Sequence, residues 1–302
     1  MIKQKKQITS FTQYIPLAFV LLWATGFIGA KYAMPYAEPF SFLSIRFAVT
    51  LFLLGFVIIF IKVNWPSGIS FYLALLSGVL IHTIYLGAVF LAIKNGLPAG
   101  YAGILVGLQP MITAFFATNI IGDKITRAQI IGLIIGLIGV FLVLFPNETN
   151  SLDINSLVNA LIVLGGVIAF SLGAVLQKKY NSNQTLVGTI WLQYFGALLV
   201  SLPIALIFES FHFDWNGELI FAFVWLILVL SIGAILLLMM MIKAGEATKV
   251  ASYFYLVPVV TVIIAYFLFG EVLNLLQIFG MILTSLGVML ATIFSNGIRK
   301  AN

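Results

Sequence analysis

The sequence predicts an all-α integral membrane protein of ten transmembrane helices, arranged as two inverted five-helix repeats. Three observations predict it: an apolar composition, the segregation of positive charge to one side of the membrane, and an internal repeat. Apolar residues make up 62% and charged residues 8% of the 302 positions, against about 45–50% and about 25% in soluble domains. A soluble chain of this length leaves about a quarter of its unfolded surface in water, so this much apolar surface needs hydrocarbon as its solvent. There is no cysteine, which excludes disulfides, thiol nucleophiles and cysteine metal sites.

A spanning helix needs about 20 largely apolar residues. Read from turn signal to turn signal, the spans are Tyr14–Tyr32, Phe40–Ile61, Ile69–Ile93, Pro98–Ile121, Thr126–Phe145, Asn155–Gln177, Gln184–Phe208, Gly217–Ile242, Thr248–Phe269 and Val272–Phe294. The breaks carry turn chemistry: Lys62 to Gly68 with Pro66, Gly122-Asp123-Lys124, Pro146 to Asn150, and Asn181-Ser182-Asn183. The weakest break is Gly270-Glu271. Lys3, Lys5 and Lys6 before an apolar stretch resemble a signal peptide, but the stretch is long for one and lacks a small-residue cleavage site. It is therefore read as a retained first helix. No hydrophilic insertion is long enough to form a soluble domain.

Lys and Arg set orientation through short loops. With the N-terminus inside, Lys3, Lys5, Lys6, Lys62, Lys124, Arg127, Lys178, Lys179, Lys243, Lys249, Arg299 and Lys300 all fall inside. Lys31 and Lys94 fall outside, and Arg46 lies within a helix. The charge distribution thus predicts both termini in the cytoplasm. It also gives the basic balance a topological meaning, with no nucleic-acid partner implied.

The repeat supplies the architecture. An offset of 148 carries Gly122-Asp123 to Gly270-Glu271, Pro110 to Pro258, Gln129 to Gln277, Gly132 to Gly280 and Gly139 to Gly287. An offset of 147 carries Trp23 to Phe170, Gly26 to Gly173, Lys31 to Lys178 and Arg46 to Gln193; His82 falls near Ser231. Residues 1–146 are expected to hold helices one to five, and residues 147–302 helices six to ten. Five is odd, so the second half enters the membrane from the opposite side. Inverted repeats place a substrate near the midplane between halves and suit alternating access.

Trp23-Ala24-Thr25-Gly26-Phe27-Ile28-Gly29-Ala30-Lys31, Arg46-Phe47, Gly107-Leu108-Gln109-Pro110 and Gly122-Asp123 through Gly139 together resemble the EamA group of the drug/metabolite transporter superfamily. The second half repeats the pattern in Pro258, Gly270-Glu271, Gly280 and Gly287, so the resemblance covers nearly the whole chain. It implies transport of small metabolites, often export of amino acids or related compounds, across the bacterial inner membrane. It also implies a cavity walled by helices one, three, four, six, eight and nine, with five and ten peripheral. Phe170 in place of a second Trp, and Gln193 in place of a second Arg, depart from a symmetric pattern.

The candidate substrate-binding residues are Trp23, Arg46, His82, Tyr85, Gln109, Phe170, Tyr253 and Tyr255, with Pro110 and Pro258 as kinks or hinges. Trp23 sits mid-helix, away from the interfacial belts, and with Phe170 reads as packing or as an aromatic wall. Gln109 at midplane needs another helix or the substrate as partner. Proline removes a backbone hydrogen bond and bends its helix. An ionisable group in hydrocarbon is a functional candidate: His82 is either that or a neutral ring satisfied by a neighbouring hydroxyl. Tyr85 shares its face. Tyr253 and Tyr255 alternate along helix nine. Arg46 is expected to snorkel to the outer surface or to anchor a substrate carboxylate or a carbonyl. The paired glycines of helices five and ten are packing faces.

No Asp or Glu falls mid-helix, so a carboxylate proton relay is missing. His82 is the one core group suited to proton transfer, and a facilitator is the expected mode. A membrane enzyme would need a convergent acid, base or metal set, and none is present; no cofactor, metal or obligatory protein partner is implied. The expected partners are the lipid bilayer and a small-molecule substrate, with amino acids or related compounds leading. Uptake of vitamin- or nucleobase-like metabolites and lipid flipping are the other readings.

Overall fold

In hydrocarbon every backbone N–H and C=O must be paired within the chain, and helices do this segment by segment. The structure, a computed structural model, describes residues 15–122, 126–145, 154–181, 184–234, 237 and 256–299. Ten helices run through them: α1 Ile15–Ala33, α2 Pro39–Ile59, α3 Ile69–Lys94, α4 Ala99–Ile121, α5 Arg127–Leu144, α6 Ile154–Asn181, α7 Leu186–Phe208, α8 Gly217–Gly233, α9 Leu256–Phe269 and α10 Leu275–Arg299. Among the described residues, α2 to α7 are each long and apolar enough to cross a membrane. The expected continuation of the eighth span to Ile242, the start of the ninth at Thr248, and the boundary between halves at 146 and 147 lie outside the described residues.

The Gln pair marking the repeat turns out to cap helices. Gln129 N donates to Thr126 Oγ1 (3.2 Å) while Thr126 N donates to Gln129 Oε1 (2.8 Å), a capping box starting α5. At α10, Gln277 N donates to Asn274 Oδ1 (2.8 Å) and Asn274 N to Gln277 Oε1 (3.1 Å). Just before each box the chain turns through a left-handed glycine, Gly122 at φ 84° and Gly270 at φ 65°, a conformation glycine adopts without steric cost. The break at Gly270-Glu271 is therefore a real turn, despite its short polar content.

The halves meet in a self-complementary contact. A Cβ on Gly132 would strike Gly287 and Ala291, and one on Gly139 would lie 2.5 Å from the Gly280 carbonyl. Gly132 thus meets the repeat mate of Gly139, and Gly139 meets the mate of Gly132. Such reciprocal pairing is the signature of a twofold interface. It also runs the helices antiparallel, as an inverted pair must. Around the bundle, large apolar side chains such as Phe52, Phe56 and Phe267 are exposed, far more than a water-facing monomer carries.

One end of the bundle is stitched by polar contacts. Glu271 accepts from the amides of Ala99 (3.0 Å) and Gly100 (2.9 Å) at the start of α4, and Lys31 Nζ lies 3.7 Å from it. Glu209 likewise accepts from the amides of Phe40 (2.9 Å) and Ser41 (2.7 Å) at the start of α2. A carboxylate at a helix N-terminus takes orphan N–H groups and meets the positive end of the helix dipole. In the same layer Tyr36 Oη donates to Glu218 (2.7 Å), and Lys94 Nζ donates to the Met34 carbonyl (2.8 Å).

Gly139→Val is expected to cost about 1–3 kcal/mol through overpacking against the α10 backbone, read as a lower melting temperature of the detergent-solubilised protein. Gly165→Ala is the control: a Cβ there meets nothing within 4 Å, and the melting temperature should hold or rise.

Candidate substrate cavity

A cavity of about 150 Å³ lies between the halves, walled by α1, α2, α3, α6, α7 and α8. Its apolar side is aromatic. Trp23 of α1 meets Phe170 of α6 edge to face, ring centroids 6.2 Å apart, and Tyr85 of α3 meets the same Phe170 at 5.0 Å. Trp23 and Phe170 are repeat mates, and mates related by a twofold touch one another only on its axis. Phe47 and Tyr194, related by the same offset, are also in contact at 5.7 Å. The axis therefore passes through the cavity region.

The opposite side is polar and deeply buried. Arg46 of α2 is 6% exposed, and its Nε and Nη2 each donate to Ser231 Oγ of α8 at 3.2 Å. His82 of α3 stacks on Tyr194 of α7, centroids 4.3 Å and planes 13° apart. Gln193 lies beside Tyr194 in sequence and is 3% exposed. Arg46 with Gln193, and His82 with Ser231, are again repeat mates. His82 and Ser231 both sit in π-helical turns, Val79–Ile84 and Trp225–Gly233, a wide-turn geometry that is rare and often found at functional sites. Gly78 allows the approach of α3 to α7: any Cβ there would overlap the Gln193 backbone.

A model of the EamA-like transporter family matches residues 14–145 and again residues 157–293. The chain belongs to the EamA-like transporter family. Among relatives of this EamA-like chain is the transporter YvbV of Bacillus subtilis (strain 168), 27% identical over 98% of this chain and 96% of its own length. A probable amino-acid metabolite efflux pump of Salmonella typhimurium (strain LT2) is 25% identical over 95% and 96%. The inner membrane transporter YedA of Escherichia coli (strain K12) is 27% identical over 92% and 93%. A crystal structure at 17% identity covers 96% of this chain and 99% of its own, with a TM-score of 0.66, and so shares the fold. This EamA-like protein is a membrane transporter.

Of the residues singled out from sequence, Trp23, Arg46, His82, Tyr85 and Phe170 line the one cavity. Arg46 does not snorkel, because α7 and α8 cover it. His82 finds no hydroxyl: its ring stacks on Tyr194 and faces the Gln193 side chain. Gln109, Pro110 and Pro258 are not among the lining residues. Gln109 is 7% exposed and its Oε1 has no partner; its carbonyl instead accepts from Thr113 Oγ1 (2.8 Å), and that hydroxyl is also hydrogen-bonded to Ser171 Oγ of α6 (3.0 Å). Pro110 lacks the N–H that would bond the Val106 carbonyl, and α4 is interrupted there at Gly107-Leu108. Pro258 packs on Gly107 where α4 and α9 cross. Among the described residues the wall thus uses α2 and α7 where α4 and α9 were expected; Tyr253 and Tyr255 lie outside the described residues. Tyr194 was missed, although it is the repeat mate of Phe47, next to Arg46.

A buried charge without an ionic partner destabilises its host by several kcal/mol. Arg46→Met, apolar and of similar length, is expected to melt above the wild type in detergent. A lower melting temperature would make the guanidinium a structural strut.

Proposed function

We propose that this transporter moves small metabolites, amino acids or related compounds, by alternating access across the bacterial inner membrane, with export as the net direction and both termini in the cytoplasm. The observation that carries the reading is the cavity on the pseudo-twofold axis, where Trp23 touches its mate Phe170 and Phe47 touches Tyr194. A site on the axis presents similar walls to both sides. Rocking one half against the other exposes it alternately, with the two states close in energy. The contacts closing one end fit this cycle: Glu271 belongs to the second half, while its α4 amides and Lys31 belong to the first. They are exposed enough, and few enough, to break in each turn of the cycle. Amino-acid metabolites are the favoured class because one similar protein is named for their efflux. The aromatic wall accommodates their apolar side chains.

Flux of a metabolite panel in proteoliposomes tests the proposal. Counter-flow of at least one amino acid or related compound is expected, and no flux of any small solute would refute it. Orientation has its own test because the chain holds no cysteine, so a single introduced thiol is unique. His212→Cys should react with a membrane-impermeant maleimide on intact cells, and Ser67→Cys only after permeabilisation. The reverse pattern would invert the topology.

A further inference from the structure

The polar side of the cavity is built around a buried guanidinium, Arg46, that is hydrogen-bonded to a single hydroxyl. A guanidinium offers five N–H donors and stays protonated, yet Arg46 spends two of them on one hydroxyl, Ser231 Oγ. Among the described residues no carboxylate lies within ion-pair reach of it; the ion pairs found are Lys31 with Glu271 and His212 with Asp214. Beside it lie His82 and the buried Gln193, whose side chains face each other. A buried guanidinium whose donors are largely unmatched is costly to its host, and a ligand carboxylate would match them. The facing wall of Trp23, Phe170 and Tyr85 is aromatic. A cavity near 150 Å³ has room for a body of about benzene size.

We infer that the ligand is a compact carboxylate with an aromatic or branched apolar body, its carboxylate on Arg46 and its body against Trp23 and Phe170. This rests on the transport reading above and names the chemistry of the same site. Arg binds a carboxylate through two parallel N–H bonds, which requires the Nη atoms to turn from Ser231 to the ligand. An ammonium group of the same shape lacks the carboxylate and meets the guanidinium's like charge, so an amine of that shape binds less tightly.

The test uses three probes that share one ring and differ in charge: phenylpyruvate, phenylalanine and phenethylamine, as competitors of flux and as ligands in thermal-shift titration. The two carboxylates are expected to bind about 10–100-fold more tightly than phenethylamine, the worth of one charge-assisted contact. Arg46→Gln should abolish that difference by weakening the acids while leaving phenethylamine unchanged. Arg46→Lys, which keeps the charge and loses the fork, should retain part of it. If Arg46→Gln does not fold, the wild-type series decides alone. Phenethylamine bound as well as the acids, or acids bound equally by Arg46→Gln, would overturn the inference while leaving transport intact. Absence of flux for every solute would overturn the transport reading and this inference with it.

Discussion

The structure depends on one constraint: two halves of like sequence, inserted in opposite senses, must meet themselves across a common axis. Lipid offers no hydrophobic drive between helices, so close backbone approach has to supply the packing. Gly132, Gly139, Gly280 and Gly287 supply it at one place, and their reciprocal contacts leave no room for a Cβ. With α5 and α10 locked together by glycine, the other helices are left to enclose a cavity. The same symmetry that seats glycine on glycine also brings Trp23 onto Phe170 and Phe47 onto Tyr194.

Function enters where the symmetry is broken. Arg46 faces the second half, and its mate is the neutral Gln193, so the site holds one guanidinium and not two. A pair of buried cations would repel strongly at low dielectric. A single one, hydrogen-bonded to Ser231 Oγ of α8, avoids that repulsion. The π-helical turns of α3 and α8 make the same point for the backbone. Each widens its helix at the height of the cavity, and each carries one member of the His82–Ser231 pair.

One end of the bundle is held by polar contacts, its middle by close packing. Glu271 on the α4 amides and Glu209 on the α2 amides are charge-assisted bonds at helix N-termini, strong enough to hold a closed end and reversible at modest cost. The glycine seam, by contrast, is backbone packed directly on backbone.

Much of this was legible in the sequence, for reasons that are themselves physical. Hydrocarbon demands long apolar helices, so composition and spacing determined the fold class. The repeat offset determined which residues are mates, and Gln129 with Gln277 proved to be mates because both close a capping box. What the sequence could not convey was rotation about each helix axis. Gln109 and Pro110 stand mid-helix, yet neither lines the cavity, because a sequence gives depth along a helix and not the direction in which a residue points. Arg46 near a helix start read as free to snorkel. Only tertiary packing, with α7 and α8 laid over it, buried that charge beside the cavity.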